Sequence, residues 1–89
     1  MSISDEAKRI VHGDRGGNYG HPWDDFSRSA AMWTPILGVE VTPEQVAMCL
    51  VAVKLSRLVE TPGHHDSVVD VAGYAECLGM VQERRKEQG

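Results

Sequence analysis

No run in this sequence approaches the roughly 20 apolar residues needed to cross a bilayer, so no membrane-spanning helix is expected. The opening residues, Met1-Ser-Ile-Ser-Asp-Glu6, lack the basic-then-apolar order of a secretory signal, and a cytoplasmic setting is the expectation. Cysteine is scarce. Cys49 and Cys77 form no CxxC pair and no Cys/His spacing suited to zinc. Both fall in apolar helical stretches, so both are expected as buried, reduced thiols. Basic charge is scarce too: the net charge is −4. The one basic run, Arg84-Arg85-Lys86, is a solvated helix end favoured by the macrodipole. Direct binding to DNA or RNA is therefore not expected. Strand patterning, internal repeats and low-complexity segments are missing as well.

What is present reads as one all-α domain, residues 1–89, of four helices. The first starts at Ser4, with Asp5 and Glu6 in its first turn, and ends near His12-Gly13. Four glycines in residues 13–21 predict a loop. Pro22 opens the second helix, Asp24 and Asp25 favour its N-terminus, and Phe26, Ala30 and Trp33 mark one apolar face. Pro35 should kink or end it between Trp33 and Leu37. Thr42-Pro43-Glu44 caps a third helix that runs to about Glu60. The polar side chains of its long apolar stretch are Lys54, Ser56 and Arg57, which makes it a central helix. After 61–65 the fourth helix begins at His65 or Asp66 and runs to about Lys86.

A chain of 89 residues buries only a modest core, and the third helix is too apolar for four short helices to cover. A twofold homodimer built on helices two to four is the expectation. Short connections make neighbouring helices antiparallel. On that rule Asp14, Arg15, Asn18, Tyr19, His21, Asp24, Asp25, Arg57, His64, His65 and Asp66 gather at one end, with Lys54, Asp70 and Tyr74 one turn deeper.

Asp66, Asp70 and Tyr74 are spaced i, i+4, i+8 on one helix, and Lys54 and Arg57 lie on the helix before it. Cations on a central helix need partners, and the two carboxylates supply them. The cluster is either a structural ion network or a polar ligand site. Lys54 and Arg57 suit an oxyanion, and Asp66 and Asp70 suit magnesium shared with substrate phosphate. The glycine-rich segment lacks a phosphate-loop motif, and Asp24 and Asp25 oppose an anion there. His21, beside Tyr19 and Pro22, is the histidine most worth testing. Trp23, Tyr19 and Tyr74 are candidates to stack on a base.

Tyr19-Gly20-His21-Pro22 with Phe26, Lys54-Leu-Ser-Arg57, and Asp66-Ser-Val-Val-Asp70-Val-Ala-Gly-Tyr74 resemble small phage-encoded proteins of uncharacterised function. Through helices three and four the chain also resembles the MazG-like all-α nucleoside triphosphate pyrophosphohydrolases. That second resemblance implies a four-helix bundle with a central antiparallel pair, usually dimeric, that binds a nucleotide with magnesium. Lys54 and Arg57 stand in the region of those enzymes' first acidic motif, which favours holding an anion over holding several metals. The expected function is nucleotide or phosphate-compound binding, with hydrolysis as a further step. Arg15, Tyr19, His21, Lys54, Arg57 and Tyr74 are the candidate ligand contacts, and Asp66 and Asp70 the candidate magnesium ligands. The alternative is a non-catalytic module that binds a host or phage protein, with the charges as scaffold.

Overall fold

The computed structural model describes residues 2–89, with Asp14 described in its backbone alone. Helix α1 (Ile3–Arg9) continues through a π-helical segment (Ile10–Arg15) into the single turn α2 (Gly16–Tyr19). Helices α3 (Pro22–Leu37), α4 (Pro43–Glu60) and α5 (His65–Gln88) follow. No strand occurs among the described residues, so the all-α expectation holds.

Several helix ends follow from local chemistry. The Thr42 side chain accepts from the Gln45 N–H, and the Gln45 side chain accepts from the Thr42 N–H, a capping box with Pro43 in the first turn. Ser2, not Ser4, caps α1. Histidines cap the other two long helices: His21 Nδ1 accepts from Trp23 N, and His64 Nδ1 from Ser67 N. Asp66 is thus a first-turn acid rather than the cap. Pro35 lies inside α3 without ending it. The helix stops at Gly38, whose φ of 74° favours a residue without Cβ. Thr34 Oγ1, which donates to the Ala30 carbonyl and accepts from Val41 N, ties the following turn back onto the helix.

The expected loop at 13–21 is mostly helical, which corrects the glycine-based reading. Alanine-like regularity is not needed where tertiary contact holds a segment. Ala7 and Val11 are buried, at 2% and 4% exposure, and anchor this stretch. A regular α-helix drifts about 40° every four residues. The underwound π turn cancels part of that drift, so Ala7, Val11, Arg15 and Tyr19 stay on the side facing α5. The chain breaks at Gly20, at φ 77° and ψ −165°, a region that side chains avoid. Gly20→Ala should therefore cost about 1–3 kcal/mol, whereas Gly17→Ala, helical and with open space at Cβ, should stabilise by about 0.5–1 kcal/mol. Urea unfolding of the two variants checks this; equal effects would place the chain reversal elsewhere.

The core joins Val11, Phe26, Ala30, Val46, Ala47, Cys77 and Val81. Helices α4 and α5 are antiparallel: Lys54 meets Asp70 at 3.0 Å and, at the far end, Glu44 meets Arg85 at 2.8 Å. Helix α1 runs parallel to α5, with Glu6 on His65 at 3.0 Å and His12 on Glu76 at 2.9 Å. The strict alternation expected from short connections fails here. Arg85 touches both Glu44 and the Trp23 ring, so α3 and α4 start at the same end of α5. Helix α3 crosses that end instead of running back along the bundle.

Helix α4 is not enclosed by its own chain. Pro43, Val46 and Ala47 are its buried residues, while Met48, Val53, Leu55 and Val59 are exposed. Cys49 is exposed as well, against expectation, because it lies on the face turned from α5; Cys77 is buried as expected.

Candidate functional site

The most built concavity is a cleft of about 320 Å³ between α1–α2 and α5. One wall presents Ile10, Val11, Arg15, Asn18 and Tyr19, and the other Val69, Asp70, Gly73, Tyr74 and Cys77. The walls meet near Gly73, where a Cβ would sit in ordinary contact, 3.6 Å from Val11 Cγ2. The i+4 ladder Val69, Gly73, Cys77, Val81 carries α5's inner face. Asp70 and Tyr74 lie beside it and border the cleft. Asp66, a further turn back, has rotated into solvent.

Arg15 is the cleft's most constrained polar group. Its side chain is 14% exposed, and its Nη2 donates to Asp25 Oδ2. The guanidinium lies 4.8 Å from the centroid of the Phe26 ring and 5.4 Å from that of Tyr19, both cation–π contacts. Its Nη1 is buried without a hydrogen-bond partner. An unsatisfied buried donor is costly and asks for an explanation. On the other wall Asp70, 39% exposed, pairs through Oδ2 with Lys54, 15% exposed. Burial raises the Cys77 thiol pKa, partly offset by Arg15, which favours the protonated, unreactive form.

The structure brings Arg15, Tyr19, Asp70 and Tyr74 to this cleft, with Lys54 behind Asp70. It does not gather the rest. Arg57 is exposed and borders a separate hollow with Glu60, Thr61, His64 and Ser67. His21 lies at the opposite end, beside Met80, Glu83 and Arg84. Burial, with Arg84 adding to it, lowers the His21 pKa, consistent with the neutral ring its cap bond requires. Trp23 stacks under Arg85 at 4.8 Å and does not line the cleft. The expected single-ended convergence is thus corrected, because α1 runs parallel to α5; Asp14, part of that expectation, has its side chain outside the described residues. Asp25, expected in the same gathering as Arg15, does meet it, whereas Phe26, whose ring carries the guanidinium, was read from sequence only as part of an apolar face. The Arg15–Asp25 pairing spans a reversal at Gly20, and no helical spacing announces it.

Magnesium fits this arrangement poorly. Asp70 is already neutralised by Lys54, and Asp66 is exposed on its own. Among the described residues no group of three or more His, Cys, Asp or Glu side chains could hold a metal.

Residues 2–82 match the model of a family described as Domain of unknown function DUF6378. The chain belongs to that family. Two relatives of the chain are phage proteins. The Gene 55 protein of Mycobacterium phage D29 is 38% identical over 86 residues, which cover 97% of this chain and 57% of that protein. The Gene 55 protein of Mycobacterium phage L5 is 41% identical over 83 residues, covering 92% and 53%. The chain spans about half the length of these curated relatives. No solved structure matches it. The resemblance to small phage proteins is therefore met, whereas neither relative's description mentions nucleotides or hydrolysis. No helix among the described residues is long and apolar enough to cross a membrane.

Proposed function

We propose that this DUF6378 protein binds a nucleotide or related phosphate compound in the cleft between α1–α2 and α5, on a bundle of the MazG-like type. The observation that carries the reading is Arg15: a nearly buried guanidinium with an unused donor, bordering an open cleft that two tyrosines also line. Tyr19 and Tyr74 supply faces for a ring, and Arg15 and Asp70 supply donor and acceptor groups. The cleft's volume is at the small end of ligand sites, which span roughly 300–1,000 Å³. Binding is the proposal, with hydrolysis as a further step; Asp70, the carboxylate at the cleft, faces Lys54.

A thermal-shift screen of nucleoside mono-, di- and triphosphates, with and without magnesium, tests it. A ligand present at a hundredfold excess over its dissociation constant should stabilise the chain by about 2.7 kcal/mol. Arg15→Lys should remove most of that gain and Arg57→Ala little, since Arg57 lies outside the cleft. A full set of nucleotides that leaves the melting curve in place would end the nucleotide reading.

The exposed side of α4 supports a second proposal. Met48, Ala52, Leu55 and Val59 are exposed and spaced four, three and four apart, which aligns them into one seam suited to another helix. We assign a second copy of the chain as its occupant. Antiparallel pairing about a twofold axis sets Ala52 against Leu55 and Met48 against Val59, small against large. Light scattering should give twice the 9.8 kDa chain mass, and Leu55→Glu should return the monomer. A monomer at tens of micromolar would instead favour the interaction-module reading, with the seam kept for a host or phage protein.

A further inference from the structure

We infer that His21 is a pH-gated cap: mild acid strips the start of α3 of its side-chain cap bond and slackens the hold of that helix on Arg15. The geometry carries the step. Trp23 N can only donate, so the His21 Nδ1 that accepts from it at 3.0 Å must be unprotonated. A proton on Nδ1 turns that bond into two opposed N–H groups. It also sets a positive charge at the positive end of a 16-residue helix. The usual capping residues, serine, threonine, aspartate and asparagine, take up no proton near neutrality; a histidine cap does.

The charges around the ring set the sign. His21 shares a hollow with Glu76, Glu83, Arg84 and Glu87 of α5, and Asp24 lies on its own helix. Arg84 also pairs with Glu87 at 3.4 Å, and Glu76 holds His12 of the α1 segment. Burial and Arg84 disfavour the charged ring and outweigh Asp24 and Glu87, so His21 titrates below the ordinary imidazole value of 6.5. The unfolded chain therefore takes the proton first. The cap's contribution is complete above that ordinary value and is lost as pH falls through the folded one. What the cap supports reaches the cleft. The His21 carbonyl accepts from Asp24 N at 3.0 Å and Asp25 N at 3.1 Å, so the first turn of α3 is one hydrogen-bonded unit. That turn carries Asp25, which binds Arg15 Nη2, and leads into Phe26, whose ring lies 4.8 Å from the guanidinium. The other histidines make the effect separable. His64 caps α5 through Ser67 N, beside Arg57 and Glu60. His12 and His65 instead turn Nε2 to Glu76 and Glu6, contacts that a proton strengthens.

Proton–nitrogen NMR on the full chain, titrated from about pH 7.5 to about pH 5 across the imidazole range, tests this without any ligand. The His21 ring and the Trp23 amide should titrate together, with a midpoint below 6.5. The amides of Asp25 and Phe26 and the Arg15 Nε–H should follow with the same midpoint. His21→Asn, which caps without titrating, should remove that shared response and leave the titrations of His12, His64 and His65 in place. His64→Asn should leave the Trp23 response unchanged. A Trp23 amide indifferent to pH would overturn the inference, and so would a response that survives in His21→Asn. A titration confined to His21 and Trp23, never reaching Asp25, Phe26 or Arg15, would overturn the coupling to the cleft. If His21→Asn does not fold, the shared or separate midpoints in the parent decide alone.

Discussion

Phe26→Ala should be the most damaging single truncation in the molecule. Phe26 is 1% exposed and sits where α3 crosses the α4–α5 pair, against the same core as Val46, Cys77 and Val81. Losing a buried phenyl ring costs about 3–5 kcal/mol through transfer and cavity terms. In a domain of this size each kcal/mol lowers the melting temperature by roughly 4–8 °C. The ring also carries the Arg15 guanidinium at 4.8 Å, so its loss loosens the cleft along with the core. Phe26→Leu, which keeps most of the volume, should retain the fold and cost much less. Calorimetric melting of the two variants decides the point. A Phe26→Ala protein that melts within a few degrees of the parent would mean that α3 is not part of the cooperative core.

The second large effect is expected at Asp25. Removing it leaves Arg15, 14% exposed, as a nearly buried cation without its carboxylate. Breaking a fully buried pair costs about 3–5 kcal/mol; with Asp25 itself 24% exposed, water should compensate in part, and about 2–3 kcal/mol is expected for Asp25→Ala. A double-mutant cycle with Arg15→Ala should show the two losses to be far from additive, with a coupling above about 1 kcal/mol. Additive losses in the cycle would show that Arg15 finds solvent without Asp25.

Sequence reading reached α4 and its Thr42 cap, the start of α3 at Pro22 and the extent of α5, because each rests on contacts within a few residues. The Lys54–Asp70 pair was also within reach, since an antiparallel hairpin with a short turn fixes which turns of α4 and α5 meet. Residues 13–19 were not. Their glycines argue for a loop on propensity, and the deciding contribution comes from Ala7 and Val11, which pack the segment onto a helix far away in sequence. The direction of α1 was hidden for a related reason. A connection can be short and still serve a crossing, as at Gly20, and only the shared contacts of Arg85 with Trp23 and Glu44 reveal it. With the direction of α1 missed, candidates now known to lie at opposite ends of α5, His21 and Arg57, were placed together. The exposure of Cys49 and Val59 escaped for another reason: a helix apolar on all sides looks central whether its partner is in the same chain or not.

The attachment of α1 sets how the molecule opens. Upstream of Arg15 this segment contributes two buried side chains, Ala7 and Val11, and rests otherwise on the exposed His65–Glu6 and His12–Glu76 contacts. Detaching it exposes little apolar surface, so its release is a sub-global event far cheaper than unfolding the α3–α4–α5 core. Its amides should exchange with solvent hydrogen well before those of Val46 or Val81. An occupant of the cleft bridges α1 to α5 and holds that door shut. Binding should therefore register first as slowed exchange along residues 3–19, at ligand concentrations too low to move the global melting temperature.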